Sequence, residues 1–227
     1  MPFHPTLGAR LAQDFPIRQG QRHAHYLATY KLFLRFFKER IAVNNLQPDD
    51  AKTGVVLVYS WMTQAELQPT CWKHFASAKK LLRQDKTRRL TASEVDALRA
   101  FVGGSLIATS KYLHLFNPSR YAMWDTNVAR AAYRYSWQQC NQSERYIEYL
   151  DDINDLHLHA ALRERIRQAI GKSSAVRCKE FALFQLGLAE STPPSYVSEL
   201  SIADYALAPE KYTEDLDVED DPGVSGC

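Results

Sequence analysis

The chain has no apolar run near the roughly 18 residues that a membrane-spanning helix needs. Its start, Met1-Pro-Phe-His-Pro-Thr6, lacks the basic-then-apolar order of a secretory signal. The expectation is a cytoplasmic protein with no membrane partner. There are only four cysteines, Cys71, Cys140, Cys178 and Cys227, and they form no C-x-x-C pair. Such spacing offers neither a zinc site nor an iron–sulfur cluster, so no metal and no cofactor are expected, and the thiols read as free and buried. Convincing alternation of apolar and polar residues, the mark of a half-buried strand, is missing, and so is any internal repeat. An all-α protein remains.

What is there suffices for one core. Of 227 residues, 45% are apolar and 24% charged, within the range of a single large domain. The charge is unevenly spread. Residues 209–227 hold seven acids (Glu210, Glu214, Asp215, Asp217, Glu219, Asp220 and Asp221) against Lys211, a net −6; the whole chain is +2, which leaves +8 for residues 1–208. The expected organisation is a helical domain over 1–208 and a disordered acidic tail over 209–227, which has too few apolar residues to bury. A basic body favours an anionic partner such as nucleic acid.

The apolar spacing reads as helix after helix. Tyr26, Tyr30, Phe33, Leu34, Phe37 and Ile41 recur at steps of three and four, one buried face of a helix over 22–43. Asp49 and Asp50 are placed to cap a second helix through Val55-Val-Leu-Val-Tyr59. That run is apolar all round and suits a central buried helix; its β-branched residues leave a strand as the alternative, for which the chain offers no partner. A third helix is expected from Cys71 to about residue 84, followed by the basic stretch Lys79, Lys80, Arg83, Lys86, Arg88 and Arg89 around Asp85. Thr91-Ala-Ser-Glu94 is a capping box that opens a fourth helix, and Gly103-Gly104 stops it. Ser105 to Phe116 makes a fifth. Asp125 reads as the N-cap of a sixth running to about residue 139, and three more follow over 143–152, 157–170 and 175–189.

Chemistry is concentrated between Gly103 and Tyr135. Lys111 and His114 share the fifth helix one turn apart, and a loop returns the chain to Asp125 at the mouth of the sixth. This order can aim a lysine, an aspartate and a helix N-terminus at one cleft. The block Trp124-Asp-Thr-Asn-Val-Ala-Arg-Ala-Ala-Tyr-Arg-Tyr135 resembles the Asp-Thr-His-Val-x-Arg stretch of the helix-hairpin-helix (HhH-GPD) DNA glycosylases, the superfamily of endonuclease III. Gly103-Gly104 stands in place of the family's glycine-bearing hairpin, Asn127 in place of its common histidine, and the cysteine cluster of endonuclease III is absent.

The resemblance implies a compact multi-helix domain that flips a base from duplex DNA and breaks its glycosidic bond. By motif position Asp125 would be the essential carboxylate. Lys111 is nearest to the lysine with which bifunctional members attack the sugar, but it lies about one turn closer to the aspartate than is usual, which can leave it on the same helix face. With that offset, and no known neighbour to depress its amine, a monofunctional enzyme that leaves an abasic site is expected. Similar divergent glycosylases excise modified phage bases in bacterial antiviral defence, so the resemblance allows that role beside DNA repair.

The candidate site is therefore Asp125 and Lys111 for catalysis, with His114, Tyr112, Trp124, Trp61 and Asn127 around an extruded base. Arg83, Arg88, Arg89, Arg130 and Arg134 are the candidates for backbone phosphates. The partner would be double-stranded DNA, and the protein a monomer. Each assignment has a plainer counterpart. Asp125 can be only a cap, Lys111 a solvated lysine and His114 a satisfied semi-buried histidine; Trp61, Trp72, Tyr112 and Trp124 can be core, and the basic stretch a solvated helix end. Those readings together describe a helical DNA-binding or regulatory protein without catalysis, or, if the basic body is incidental, a protein-interaction module.

Overall fold

Residues 2–13, 17, 21–42, 44–62, 67, 69–85, 87–171 and 173–191 are described by the structure, a computed structural model, and all belong to one unit, Met1–Ser191. The expected domain end at 208, the acidic tail 209–227, Lys86, Cys227 and the side chain of Tyr26 lie outside them. The order is α1 (Leu7–Ala12), α2 (Gln21–Phe36) with a wider π-type turn at Phe37–Ile41, α3 (Pro48–Ser60), a tight 3-10 turn (Pro69–His74), α4 (Phe75–Gln84), α5 (Ala92–Phe101) and α6 (Leu106–Phe116). Then come α7 (Thr126–Tyr133), α8 (Trp137–Cys140), α9 (Ser143–Asp155), α10 (Ala160–Ile170) and α11 (Ala175–Ser191). Among the described residues there is no strand, and no helix is long and apolar enough to cross a membrane.

Local chemistry sets several boundaries as expected. Thr91 Oγ1 accepts from Glu94 N at 3.4 Å while Glu94 Oε2 accepts from Thr91 N at 2.9 Å, the reciprocal box that starts α5. Gly103 and Gly104 both have left-handed backbones, φ +88° and +83°, a region that residues with a Cβ avoid. At Gly103 a Cβ would also stand 2.6 Å from the Tyr59 hydroxyl, which donates to Val102 O at 3.0 Å. Ser105 then caps α6 by accepting from Ala108 N at 3.2 Å.

Other boundaries differ. Gln47, not Asp49 or Asp50, is the N-cap of α3; Pro48 occupies its first turn, where a missing N–H costs nothing, and the two aspartates sit inside that turn. The stretch from Cys71 begins as the 3-10 turn, and α4 starts only at Phe75. The sixth expected helix is two. Arg134 closes α7 in a left-handed conformation, φ +63°, and a second capping box, Ser136 with Gln139, opens α8.

The central helix is α6 rather than α3. Leu106, Ala108, Thr109, Ser110, Tyr112, Leu113, His114 and Leu115 are all buried along it, whereas α3 leaves Val56 48% exposed. A helix so largely buried needs partners within the protein for most of its polar groups, and those that Ser110 and His114 find orient the site. The loop that follows is buried as well, through Tyr121, Ala122, Met123 and Trp124. Tyr121 donates its hydroxyl proton to the buried carboxylate of Asp85, Leu90 N donates to the same hydroxyl at 3.0 Å, and Tyr146 donates to Ala122 O at 3.1 Å. Across from it, α11 lies against α7 so closely that a Cβ on Gly187 would come within 2.0 Å of Asn127 O.

Candidate functional site

Ser110 joins the two halves of the motif. Its Oγ accepts from Trp124 N at 3.0 Å and lies 3.1 Å from Trp124 O and 2.8 Å from Ile107 O, so its one proton is shared between two carbonyls. The next residue on each side is a candidate catalytic group, Lys111 after Ser110 and Asp125 after Trp124. Asp125 caps α7 with a single oxygen: Oδ1 accepts from Asn127 N and from Val128 N, each at 2.9 Å. Its Oδ2 has no hydrogen-bond partner among the described residues.

Lys111 is half-buried, and its amine has no hydrogen bond or ion pair among the described residues. Burial depresses the amine below its ordinary value; the Asp125 and Glu180 carboxylates oppose that shift and the Arg177 guanidinium adds to it. A neighbour that depresses the amine is thus present, though it comes from α11 and is remote in sequence.

His114 is fully buried and both its ring nitrogens are used. Nδ1 meets Tyr121 O at 2.8 Å, and since a carbonyl can only accept, Nδ1 carries the proton; Nε2 then accepts from the Tyr30 hydroxyl at 2.7 Å. Burial, with the Arg177 charge, pushes the imidazole down to about 3, so the ring is neutral and holds α2 to α6. It cannot reach a flipped base or a phosphate, which corrects the expectation for this residue. Tyr112 and Trp124 are also core. Tyr112 packs edge-on against Phe37 with centroids 4.9 Å apart, and Trp124 donates to Cys140 O at 2.8 Å and packs on Tyr149 at 4.9 Å. Neither has an exposed face on which a base could stack.

Trp61 is half-buried and stacks on Phe33 at 4.6 Å and on Tyr30 at 6.2 Å, with its indole N–H donating to Thr29 Oγ1 at 2.9 Å. Trp72 is half-buried with the Lys52 amine 5.4 Å above its ring. Asn127 sits in the first turn of α7, its carbonyl against Gly187.

The five arginines divide. Arg88 is gripped through both its terminal nitrogens by Glu94 at 2.7 and 2.5 Å, Arg89 is paired with Asp151, and Arg134 is paired with Glu190 at 3.0 Å. Glu190 is shared with Arg10, whose guanidinium donates to both its oxygens at 2.7 and 2.8 Å. Arg83 is exposed and donates to the Asn44 carbonyl at 3.3 Å. Arg130 is half-buried with no ion pair or hydrogen bond among the described residues. A shallow groove along α4 is lined by Phe75, Lys79, Lys80, Arg83, Gln84 and Thr87, without a carboxylate. Of the five candidate arginines, Arg83 in the α4 groove and Arg130 are therefore the two without a carboxylate partner among the described residues, whereas Arg88, Arg89 and Arg134 are paired.

Three contributors went unread in the sequence: Ser110, and the ion pair between Arg177 and Glu180, which are only 2% and 3% exposed. A serine inside a helix and two opposite charges three residues apart have common surface uses, so neither pattern signals a site. Among the described residues, Cys71, Cys140 and Cys178 are free and buried, and no group of three or more His, Cys, Asp or Glu side chains is placed to hold a metal ion. No protein-family model, curated protein or solved structure matches the chain.

Proposed function

We propose that the protein is a DNA N-glycosylase that extrudes a damaged or modified base from the duplex and breaks its glycosidic bond with the help of Asp125. The observation that carries this reading is the way Asp125 is held. One oxygen takes both capping bonds, so the carboxylate is fixed in direction and still has Oδ2 to offer. As the base leaves with the bonding electrons, positive charge grows on the sugar, and a preoriented carboxylate stabilises it without reorganising. The same oxygen can accept a proton from the water that adds to the sugar carbon, and the products are a free base and an abasic site. Phosphates held by the α4 lysines, Arg83 and Arg130 would offset an extrusion cost of a few kcal/mol, which is smaller for a damaged base.

Lys111 supports a second course from the same starting point. A neutral amine, favoured by burial, can add to the sugar carbon in place of water; after proton loss and ring opening the result is a Schiff base that borohydride reduces to a stable amine. One experiment covers both courses. The full chain is incubated with duplexes that each carry one modified base, and half of each reaction is treated with alkali and half with borohydride. Alkali-labile sites without an adduct are expected from the water course, and a trapped adduct from the lysine course. Binding with neither product across a broad panel would favour a non-catalytic DNA-binding protein in which Asp125 is only a cap. For the antiviral role, phages with modified cytosine should plate less well than phages with ordinary cytosine on cells that express the protein; equal plating would count against it.

A further inference from the structure

Gly187 lies inside α11, where glycine is a poor helix former beside alanine because it loses more backbone freedom on folding. Something other than helix formation therefore accounts for it. A Cβ at this position would overlap the backbone of Asn127, meeting its carbonyl oxygen, its carbonyl carbon and its Cα. These are main-chain atoms in a capped turn, so they cannot swing aside as the end of a flexible side chain would. The N–H of the same residue donates to Asp125 Oδ1 at 2.9 Å, and the Val128 N–H donates to that oxygen at 2.9 Å. Asn127 is thus held from two sides, by the Asp125 carboxylate at its N–H and by α11 at its carbonyl. On the other flank of Asp125, Trp124 is tied to Ser110 on α6. Two helices, α6 and α11, therefore fix the chain before and after the carboxylate.

We propose that Gly187 is a positioning residue for Asp125: because it has no Cβ, α11 can support the first turn of α7 and so set the direction in which the carboxylate is presented. The inference rests on the reading of Asp125 as the catalytic carboxylate. A Cβ would push the turn away from α11 while Ser110 still holds Trp124, and the strain falls on the two capping bonds between these anchors. The carboxylate then loses the fixed orientation on which stabilisation of positive charge on the sugar depends. Ordinary helix packing at Gly187 leads to a different result, since loosened packing lowers stability in general and does not need the Asp125 side chain.

Amide hydrogen exchange in the full DNA-free chain, read residue by residue by NMR, tests the link. Gly187→Ala should speed exchange of the Asn127 and Val128 amides by about tenfold or more relative to amides of α3 and α5, which report general opening. Gly8→Ala, at a position in α1 where an added Cβ meets nothing within 4 Å, should leave both amides unchanged. In an Asp125→Ala background, where the cap is already gone, Gly187→Ala should add little, because the two changes act on one contact. On DNA, the single-turnover rate of base release should fall by about tenfold or more while duplex affinity stays within about twofold, since a small misplacement affects the chemical step and not the phosphate contacts made elsewhere. Equal acceleration across the chain, no acceleration, or the same acceleration with and without the Asp125 side chain would overturn the proposal. Should Gly187→Ala fail to fold in buffer, the comparison is made in sucrose, which favours the compact state; a variant unfolded even there needs the glycine for the whole fold and overturns the narrower role. Exchange needs no DNA, so a parent chain that releases no base yet shows the selective, Asp125-dependent acceleration in Gly187→Ala would lose the glycosylase reading alone.

Discussion

Ser110 and Trp124, on opposite sides of a buried loop, are joined through one hydroxyl that accepts from the tryptophan's backbone N–H at 3.0 Å and faces its carbonyl at 3.1 Å. The link fastens the middle of α6 to the residue before the α7 cap. Lys111 and Asp125, each one position further along, take their relative placement from it. The chemistry proposed for them depends on a serine that touches neither.

Replacement of Ser110 by Ala should therefore act at a distance. The Trp124 N–H would be left buried and unpaired, at a cost of about 1–3 kcal/mol, and Asp125 would lose its fixed approach to Lys111. Urea unfolding should register the stability loss, and base release should fall further than the fraction of unfolded protein accounts for. A variant with both properties unchanged would mean that the link does not position the site.

Asp125→Asn separates capping from charge. Asparagine caps a helix about as well as aspartate, so the melting temperature should stay close to that of the parent. Base release should fall by about 100-fold or more, because the side chain no longer stabilises positive charge or takes a proton. Asp125→Ala should lose activity and about 1 kcal/mol of stability together. Wild-type turnover by Asp125→Asn would remove the case for catalysis.

His114 should give the fold a defined acid sensitivity. Its ordinary value near 6.5 drops to about 3 in the folded protein, mainly through burial, so the unfolded chain binds the proton more readily. Stability is then fully present above about 6.5 and is lost as the pH falls from there towards 3, by up to about 1.4 kcal/mol per pH unit. Denaturant titrations across that range should show this slope in the parent and a shallower one in His114→Gln. Parallel slopes would contradict the assignment.

The division among the arginines predicts unequal roles on DNA. Affinity for a duplex should fall with salt at a log–log slope of about −0.9 per phosphate contacted. Arg83→Ala or Arg130→Ala should each reduce that slope by about one contact. Arg88→Ala, which removes a group already held by Glu94, should leave it unchanged. Fluorescence anisotropy over a salt series distinguishes these outcomes, and equal losses from paired and unpaired arginines would count against the assignment.

What the sequence determined by itself is the set of features that reside within a turn or two of chain. The Thr91–Glu94 box, the Gly103-Gly104 stop and the Asp125 cap are features of residues a few positions apart, so their order in the chain nearly specifies their geometry. The Ser136–Gln139 box is equally local, and it splits the single helix expected from Asp125 to about residue 139 after Tyr133. The tertiary structure alone decided which charges remain available. Arg88 and Arg134 look alike in the sequence to Arg130, and Arg177 and Glu180 look like a solvated helix face. Whether a charge is paired, buried or free depends on which helix packs across from it: Glu190 reaches back to Arg134 over 56 residues, and α11 carries the Arg177–Glu180 pair into the core. Electrostatic interactions act through space and depend on local burial, so their sign and strength at Lys111 are properties of the fold rather than of the neighbouring letters.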